Sequence, residues 1–451
     1  MRHGLGWKHK SLLLGLSLAL AALWFSGIRR ELVLILLQIT LMLIFASIFG
    51  GLVKRLHQPP VLGEILGGIV LGPTIMGTLF PGIQTQLFPS TGESYQVLHS
   101  IASLGLIAFI FTAGLEIDLT YIRRNRRGTL ITSIFGIILP FIMGLGLVVF
   151  MPGLWKIPSG DLGIFAIFMG TALSISALPV IARILIDLDL LKKELGGIII
   201  GAATIDDIVG WSIFALILSS LNMNINLGLN LGLTIGVLLV TVCILYIIGL
   251  NKSWQKSPFF GAVIDLTAIA MLAGAAVSEF IGAHGISGAF LAGVILSGRV
   301  VERNFILRKT YLPVMVVLAP IYFTSIGLKT NFVANFDPMI VVLVFIVACA
   351  GKILGACLGA IASGIPRRTA MAIGSGLNAR GAMEIVLASA ALDYGLIEGR
   401  VFVALVVMAL ATTVITGLTL PWLMKTRPIS LRAWDPLPLH EQLGSYNYLE
   451  N

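Results

Sequence analysis

Apolar residues recur along the chain in runs of about 20, the length at which a helix crosses a hydrocarbon core. They lack the ten-residue alternation typical of outer-membrane β-barrel strands. The pattern predicts an all-α polytopic membrane protein. Thirteen transmembrane helices are predicted, over residues 31–50, 61–77, 96–117, 128–151, 161–185, 194–221, 226–250, 258–280, 284–298, 311–329, 338–363, 366–393 and 397–424.

Both ends of the chain lie outside these spans. Residues 1–27 begin with basic side chains and continue into an apolar segment that ends in small residues. This arrangement predicts either a secretory signal peptide or an extra N-terminal helix, and both interpretations stay open. Residues 28–424 are predicted to form the transmembrane domain, and residues 425–451 a short cytoplasmic tail.

The loops carry most of the positive charge. With the chain started outside at residue 31, twenty of the 30 Lys and Arg residues fall on the inner side and three on the outer side. This bias supports the spans and predicts a cytoplasmic C-terminus, in a plasma or inner membrane. It also accounts for the net charge of +9 without a nucleic-acid partner. With 57% hydrophobic and 11% charged residues, the expected surroundings are a lipid bilayer.

Two short motifs are repeated seven spans apart. Gly63-Glu-Ile-Leu-Gly-Gly-Ile-Val-Leu resembles Gly288-Ala-Phe-Leu-Ala-Gly-Val-Ile-Leu, and Phe111-Thr-Ala-Gly-Leu resembles Phe323-Thr-Ser-Ile-Gly-Leu. An odd separation means that the partners cross the membrane in opposite directions. The pattern predicts inverted repeats, an architecture of secondary transporters whose site lies near the bilayer midplane.

The repeat relationship pairs the fifth span with the twelfth, and both contain features that favour a break. In the fifth, Pro179 removes a backbone donor close to a serine-rich stretch. In the twelfth, residues 374–381 contain three glycines, which lower the cost of unwinding. We expect two discontinuous helices that cross at mid-depth and expose carbonyl groups and half-helix dipoles to an ion.

Four ionisable side chains lie near the middle of predicted spans: Asp206, Asp207, Lys352 and Arg380. Each would cost roughly 2.5–3.5 kcal/mol at the bilayer centre, so pairing and a polar cavity are expected. Adjacent helical residues point about 100° apart, so the two aspartates cannot both face one neighbour. Glu384 follows Arg380 by four residues and is its expected helical partner.

Oxygen ligands for a hard monovalent cation such as sodium are plentiful around this pair, and the residues alone leave open which of the two aspartates binds it. We expect no organic cofactor and no enzymatic activity. Two carboxylates also suit an intramembrane aspartyl protease, but that chemistry needs them to face each other from separate segments. A sodium-coupled symporter that binds an organic anion through Arg380 is a further alternative, as is a non-transporting sensor.

The chain resembles the second superfamily of monovalent cation:proton antiporters, and within it the cyanobacterial sodium/proton antiporters and plant cation/proton exchangers. The resemblance rests on Gln58-Pro-Pro-Val-Leu-Gly-Glu-Ile-Leu-Gly-Gly, Gly170-Thr-Ala-Leu-Ser-Ile-Ser-Ala-Leu-Pro-Val-Ile-Ala-Arg-Ile-Leu, Ala203-Thr-Ile-Asp-Asp-Ile, Ile286-Ser-Gly-Ala-Phe-Leu-Ala-Gly, Gly351-Lys-Ile-Leu-Gly and Leu377-Asn-Ala-Arg-Gly-Ala-Met-Glu. It implies a thirteen-helix homodimer, each subunit with a core and a dimerisation domain, in a plasma, inner or thylakoid membrane.

The resemblance also implies roles for individual residues. Asp207 would bind cation and proton alternately, and Asp206 would pair with Lys352. A hydroxyl from the broken fifth span, that of Ser174 or Ser176, would assist. We count as further supporting candidates Thr171 from the same span and Asn378, Arg380 and Glu384 from the twelfth. The implied activity is electrogenic antiport of sodium, lithium or potassium against protons, with potassium/proton antiport as the main alternative.

Overall fold

The computed structural model describes residues 30–55, 59–116, 126–158, 160–190, 193–222, 263–280, 285–297 and 314–425 of the 451-residue chain. Its helices in these ranges are α1 Arg30–Arg55, α2 Pro60–Leu71, α3 Met76–Leu79, α4 Pro81–Leu87, α5 Glu93–Glu116, α6 Arg126–Phe150, α7 Leu162–Ser174, α8 Leu178–Asp187, α9 Glu194–Asn222, α10 Val263–Phe280, α11 Gly285–Ser297, α12 Ala319–Lys329, α13 Pro338–Ala362, α14 Arg367–Leu377, α15 Ala382–Asp393 and α16 Gly399–Lys425. A 3₁₀ turn, Pro152–Leu154, follows α6, and a π-helical turn, Val314–Leu318, precedes α12.

The predicted all-helical architecture is confirmed over the described residues. Eight described helical segments are long and apolar enough to cross a membrane. Each predicted span that falls in the described ranges contains helix, whereas span 226–250, residues 1–27 and the tail after residue 425 lie outside them. The count of thirteen therefore stays a prediction.

Polar caps and prolines define where the central helices begin. The Asp161 carboxylate accepts hydrogen bonds from the backbone N–H groups of Gly163 and Ile164, at 2.8 and 3.0 Å, and so caps α7. Asp337 caps α13 in the same way, and Pro338 follows at the first helical position, where no backbone donor is needed. The two caps therefore define the start of α7, which leads to the predicted break in the fifth span, and of α13, which carries Lys352.

α13 lies against α6 through a row of glycines one turn apart. A Cβ on Gly355 would lie 2.5 Å from the carbonyl oxygen of Phe135, and one on Gly359 would lie 2.6 Å from that of Ile131. The backbones of the two helices are therefore in direct contact. This contact sets the rotation of α13 and directs Lys352 into the interior.

The two motif pairs found in the sequence make equivalent contacts. α2 packs against α12, where a Cβ on Gly68 would lie 3.0 Å from the Cα of Gly327. α11 packs against α5, where a Cβ on Gly293 would also lie 3.0 Å from the Cα of Gly114. In the motif alignment Gly68 corresponds to Gly293 and Gly327 to Gly114. Each contact thus joins a copy of the first motif to a copy of the second motif, through glycines at corresponding positions.

Candidate functional site

Both predicted breaks are present, and they lie against each other. α7 ends at Ser174, Ile175 is extended with φ −71° and ψ 146°, and α8 begins at Leu178. The twelfth span is interrupted between α14 and α15. The backbone N–H of Ala177 donates to the carbonyl of Ala379 at 3.0 Å, which joins the two interruptions directly. Unwound backbone at this depth is sheltered inside the protein, as such segments require.

Asp206 is the centre of the polar network at the breaks. It is 1% exposed, and both of its carboxylate oxygens accept hydrogen bonds. Oδ1 accepts from Ser133 Oγ of α6 at 2.8 Å. Oδ2 accepts from Ser176 Oγ at 3.0 Å and from Lys352 Nζ at 2.6 Å. The ion pair with Lys352 that the resemblance implied is therefore present in the structure.

Lys352 is fully buried and surrounded by oxygen acceptors. Besides Asp206, its ammonium donates to the carbonyl of Gly136 at 3.1 Å and to the carbonyl of Ser174, the last residue of α7. The C-terminal carbonyls of a half-helix carry partial negative charge, which a cation stabilises. Lys352 therefore neutralises both Asp206 and the end of α7.

Asp207 lies next to Asp206 on α9 and is 3% exposed. Three residues further along α9, a Cβ on Gly210 would clash with the side chain of Ile175, which lies in the break. Asp207 and Gly210 are neighbours on the helix surface, so Asp207 lies close to the interrupted backbone.

Arg380 is fully buried between the two broken helices. Nη1 donates to the carbonyl of Ala172 at 2.8 Å and to Glu384 Oε1 at 2.9 Å, and Nη2 donates to the carbonyl of Leu173. The predicted partnership with Glu384 four residues later is thus present. The planar guanidinium holds the end of α7 and the start of α15 together, which a point charge would not do.

The other predicted supporting residues make different contacts. Ser176 Oγ lies 3.0 Å from Asp206 Oδ2 and 2.9 Å from the carbonyl oxygen of Leu377, and its single hydroxyl proton is shared between these two acceptors, so it links both breaks. The hydroxyls of Thr171 and Ser174 instead donate to carbonyls within α7, those of Ile167 and Thr171. Asn378 lies buried in the second break, with its Nδ2 3.6 Å from Cys349 Sγ.

Two residues of the network were not anticipated from the sequence. Ser133 binds Asp206 from α6, and the Thr413 hydroxyl of α16 donates to the carbonyl of Arg380 in the break. A signal for the first exists in the sequence. Thr129, Thr132, Ser133 and Gly136 recur at helical spacing on an otherwise apolar helix, and the three hydroxyl residues are fully buried.

Glu64 of α2 is a further buried carboxylate, with 9% of the residue exposed. Its Cγ would lie 4.0 Å from a Cβ on Gly50 of α1, so the side chain lies in the contact between α1 and α2. The close packing of these two glycine-containing helices therefore covers the carboxylate.

Comparison with protein families gives a match over most of the chain. The family described as "Sodium/hydrogen exchanger, transmembrane" matches residues 39–426. Among curated proteins, the Na(+)/H(+) antiporter NhaS4 of Synechocystis is 33% identical over 412 residues, covering 88% of this chain and 98% of that protein. The Na(+)/H(+)-K(+) antiporter GerN of Bacillus cereus is 28% identical over 88% of this chain and 98% of its own length.

A plant relative and a solved structure extend the comparison. The Cation/H(+) antiporter 17 of Arabidopsis thaliana is 34% identical over 86% of this chain, and the chain spans about half (48%) of that relative. The sodium proton antiporter MjNhaP1 of Methanocaldococcus jannaschii has a TM-score of 0.58 at 13% identity, with 86% of this chain and 96% of that chain covered. At that identity the likeness concerns the fold. With the eight apolar helical segments, these matches identify a multi-pass integral membrane protein.

Proposed function

We propose that this chain, which belongs to the sodium/hydrogen exchanger family, exchanges a monovalent cation for protons across a membrane. The observation that carries the proposal is the balance of buried charge. Around the two breaks, Asp206, Asp207 and Glu384 contribute three carboxylates, against the cations of Lys352 and Arg380. When these five are ionised, one negative charge remains in this cluster, apart from Glu64 on α2. Either one proton or one monovalent cation neutralises it, so the two compete.

Asp207 is the proposed exchange site. Its neighbour Asp206 already accepts three hydrogen bonds, one of them from Lys352, and so is a poor ligand for an arriving cation. A cation at Asp207 would complete its oxygen shell from the carbonyl and hydroxyl groups of the interrupted helices. Because a bound proton and a bound cation exclude each other at Asp207, their movements in opposite directions are coupled.

Alternating access would move the broken helices and the aspartates between the two sides of the membrane. The equivalent glycine contacts of α2 with α12 and of α11 with α5 support inverted repeats within a thirteen-helix fold. We further propose a homodimer in a plasma or inner membrane, or a thylakoid membrane in a cyanobacterium, with a cytoplasmic C-terminus.

Sodium is the proposed cation, with lithium as a substitute and potassium as the alternative. NhaS4 is named a Na(+)/H(+) antiporter, whereas a relative from Saccharomyces cerevisiae, 30% identical over 414 residues, is named K(+)/H(+) antiporter 1. Electrogenic exchange is proposed from the resemblance alone, since an Asp-Asp pair together with a buried lysine is typical of antiporters that move more than one proton for each cation.

The alternatives receive less support from the geometry. A symporter that bound an organic carboxylate through Arg380 would have to displace Glu384 and two carbonyl groups from a fully buried guanidinium. An aspartyl protease would need the two aspartates to share a water molecule. Asp206 and Asp207 are adjacent on one continuous helix, and the oxygens of Asp206 are already occupied.

Proton flux in everted membrane vesicles tests the proposal. A pH-sensitive dye should report proton movement when sodium, lithium or potassium is added to vesicles that contain the wild-type chain. Asp207→Asn and Asp207→Ala should abolish it, whereas Asp189→Asn, at an exposed carboxylate with φ 53° that asparagine tolerates, should leave it intact. Sodium-dependent flux that persists in the Asp207 variants would sink the mechanism.

A further inference from the structure

We infer that Ser133 is a positioning residue that keeps Asp206 fixed as the partner of Lys352 and thereby leaves exchange to Asp207. The inference rests on the proposed antiport function and adds a residue to it from α6, outside the two broken helices. Ser133 is fully buried, and its hydroxyl donates to Oδ1 of Asp206 at 2.8 Å.

The three donors to Asp206 come from three different elements. Ser133 belongs to α6, Ser176 to the break between α7 and α8, and Lys352 to α13. A carboxylate can rotate about its terminal bond unless both oxygens are held. Ser176 and Lys352 both bind Oδ2, and Ser133 supplies the contact on Oδ1. Its hydroxyl therefore fixes the plane of the carboxylate.

α6 contacts both members of the ion pair from one face. Ser133 binds Asp206, and the carbonyl of Gly136, three residues later, accepts from Lys352 Nζ at 3.1 Å. Residues three apart on a helix are surface neighbours. The close approach of α6 and α13 at the glycine row holds this face in place. α6 therefore supports the Asp206–Lys352 pair as a unit.

An arriving proton or cation can bind to either of the two adjacent buried carboxylates. A carboxylate whose two oxygens already accept donors offers less to a new ligand than one that keeps acceptor capacity. If Oδ1 of Asp206 lost its donor, that oxygen would become an acceptor in a low-dielectric site and would compete with Asp207. Asp206 would also be free to turn away from Lys352.

Two other roles for Ser133 would have different consequences. As a mere packing residue it would affect stability and transport independently of Asp206. As a direct cation ligand it would change the preference among lithium, sodium and potassium, whose different sizes require different ligand geometry. A positioning residue acts through Asp206 alone. Its effect should therefore vanish when Asp206 is altered and should be the same for every cation.

The test is a double-mutant cycle of Ser133→Ala with Asp206→Ala, which removes both carboxylate oxygens. Vesicle dye assays over a range of concentrations of each cation give the maximal rate and the half-saturating concentration. We expect Ser133→Ala to lower the ratio of maximal rate to half-saturating concentration about tenfold, because a hydrogen bond to a charged group commonly contributes that much. The factor should be the same for all three cations. Ser133→Thr, which keeps the hydroxyl, should restore the ratio to within about twofold.

In the Asp206→Ala background, Ser133→Ala should change this ratio less than about twofold. The matched control is Ser212→Ala on α9, whose hydroxyl donates to the carbonyl of Ile208 in its own helix, and which should change little in either background. Thermal midpoints of the purified variants provide a second cycle, which tests the same contact if Asp206→Ala has no measurable exchange.

Independent effects of the two substitutions, in both transport and thermal midpoint, would overturn the inference. So would a Ser133→Ala effect that differed by cation, which would make Ser133 a ligand. A wild-type chain without cation-dependent proton flux would refute the proposed function instead. The thermal cycle would then still report whether Ser133 holds Asp206, since a shift that disappears in Asp206→Ala requires that contact.

Discussion

Lys352 Nζ lies 2.6 Å from Asp206 Oδ2, and neither side chain is exposed to solvent. The pair sits where α6, α9, α13 and the first break meet. Removing one partner of such a pair leaves an uncompensated charge in the interior, whereas removing both leaves two neutral groups. The stability of this region therefore depends on the two residues jointly.

Lys352→Gln should lower the free energy of unfolding by about 3–5 kcal/mol, because Asp206 is left charged and buried. The double variant Lys352→Gln/Asp206→Asn should be more stable than Lys352→Gln alone. Thermal denaturation of the purified protein measures both.

Lys329→Gln is the control for charge removal. Its partner is Asp393 at 2.5 Å, with the two side chains 19% and 36% exposed. An ion pair with this exposure contributes only about 0–1 kcal/mol, so the substitution should cost little. Equal losses for Lys329→Gln and Lys352→Gln would contradict the importance assigned to burial.

Arg380→Lys should destabilise the protein although it keeps the charge. The guanidinium reaches the carbonyls of Ala172 and Leu173 and the carboxylate of Glu384 together, whereas an ammonium cannot match that planar fork. A buried acceptor left without its donor costs about 1–3 kcal/mol, which a lower thermal midpoint would report.

Arg367→Lys provides the comparison for that substitution. Arg367 is exposed at the start of α14, where either basic side chain is solvated, so its replacement should be neutral. A thermal midpoint for Arg380→Lys equal to that of Arg367→Lys would mean that the guanidinium geometry is unimportant.

Gly355→Ala should destabilise the protein and reduce transport, since the added methyl group would lie 2.5 Å from the carbonyl of Phe135 and push α13 away from α6. Gly417→Ala in α16 is the matched control, because its Cβ would meet nothing within 4 Å. There the helix propensity of alanine should be neutral or stabilising by up to about 1 kcal/mol.

Thermal midpoints and vesicle flux of the two glycine variants test the contact. If Gly355→Ala behaved like Gly417→Ala, the backbone contact between α6 and α13 would not be what positions Lys352. A loss of flux in Gly355→Ala that exceeded its loss of stability would indicate that the position of Lys352 matters for exchange itself.

The breaks could be predicted because their residues disfavour helix, and the buried charges because they lie within apolar spans. Pro179 and the glycines around residues 374–381 disfavour continuous helix, and Lys352 and Arg380 lie at depths where unpaired charge is costly. Each of these features can be recognised from the sequence of a single segment. The helices on either side then follow from hydropathy alone.

Ser133 was missed because its role depends on the rotation of one helix against others. A serine in an apolar helix usually satisfies its hydroxyl on a carbonyl of the preceding turn, as Thr171 and Ser174 do here. Whether Ser133 does so or reaches Asp206, 73 positions away in the chain, is decided by the contacts of α6 with its neighbours. The hydroxyl residues of α6 mark its polar face, but no pattern within α6 identifies Asp206 as the partner.

The bond from Ala177 to Ala379 joins the two breaks through main-chain atoms alone. A scan that replaces one side chain after another would therefore find both positions tolerant wherever space allows, and would miss the link between the two segments. Proline at position 177 is the exception, since it has no N–H to donate. Sequences that differ widely at these two positions can thus retain the same junction, and its presence in a relative has to be sought in backbone geometry.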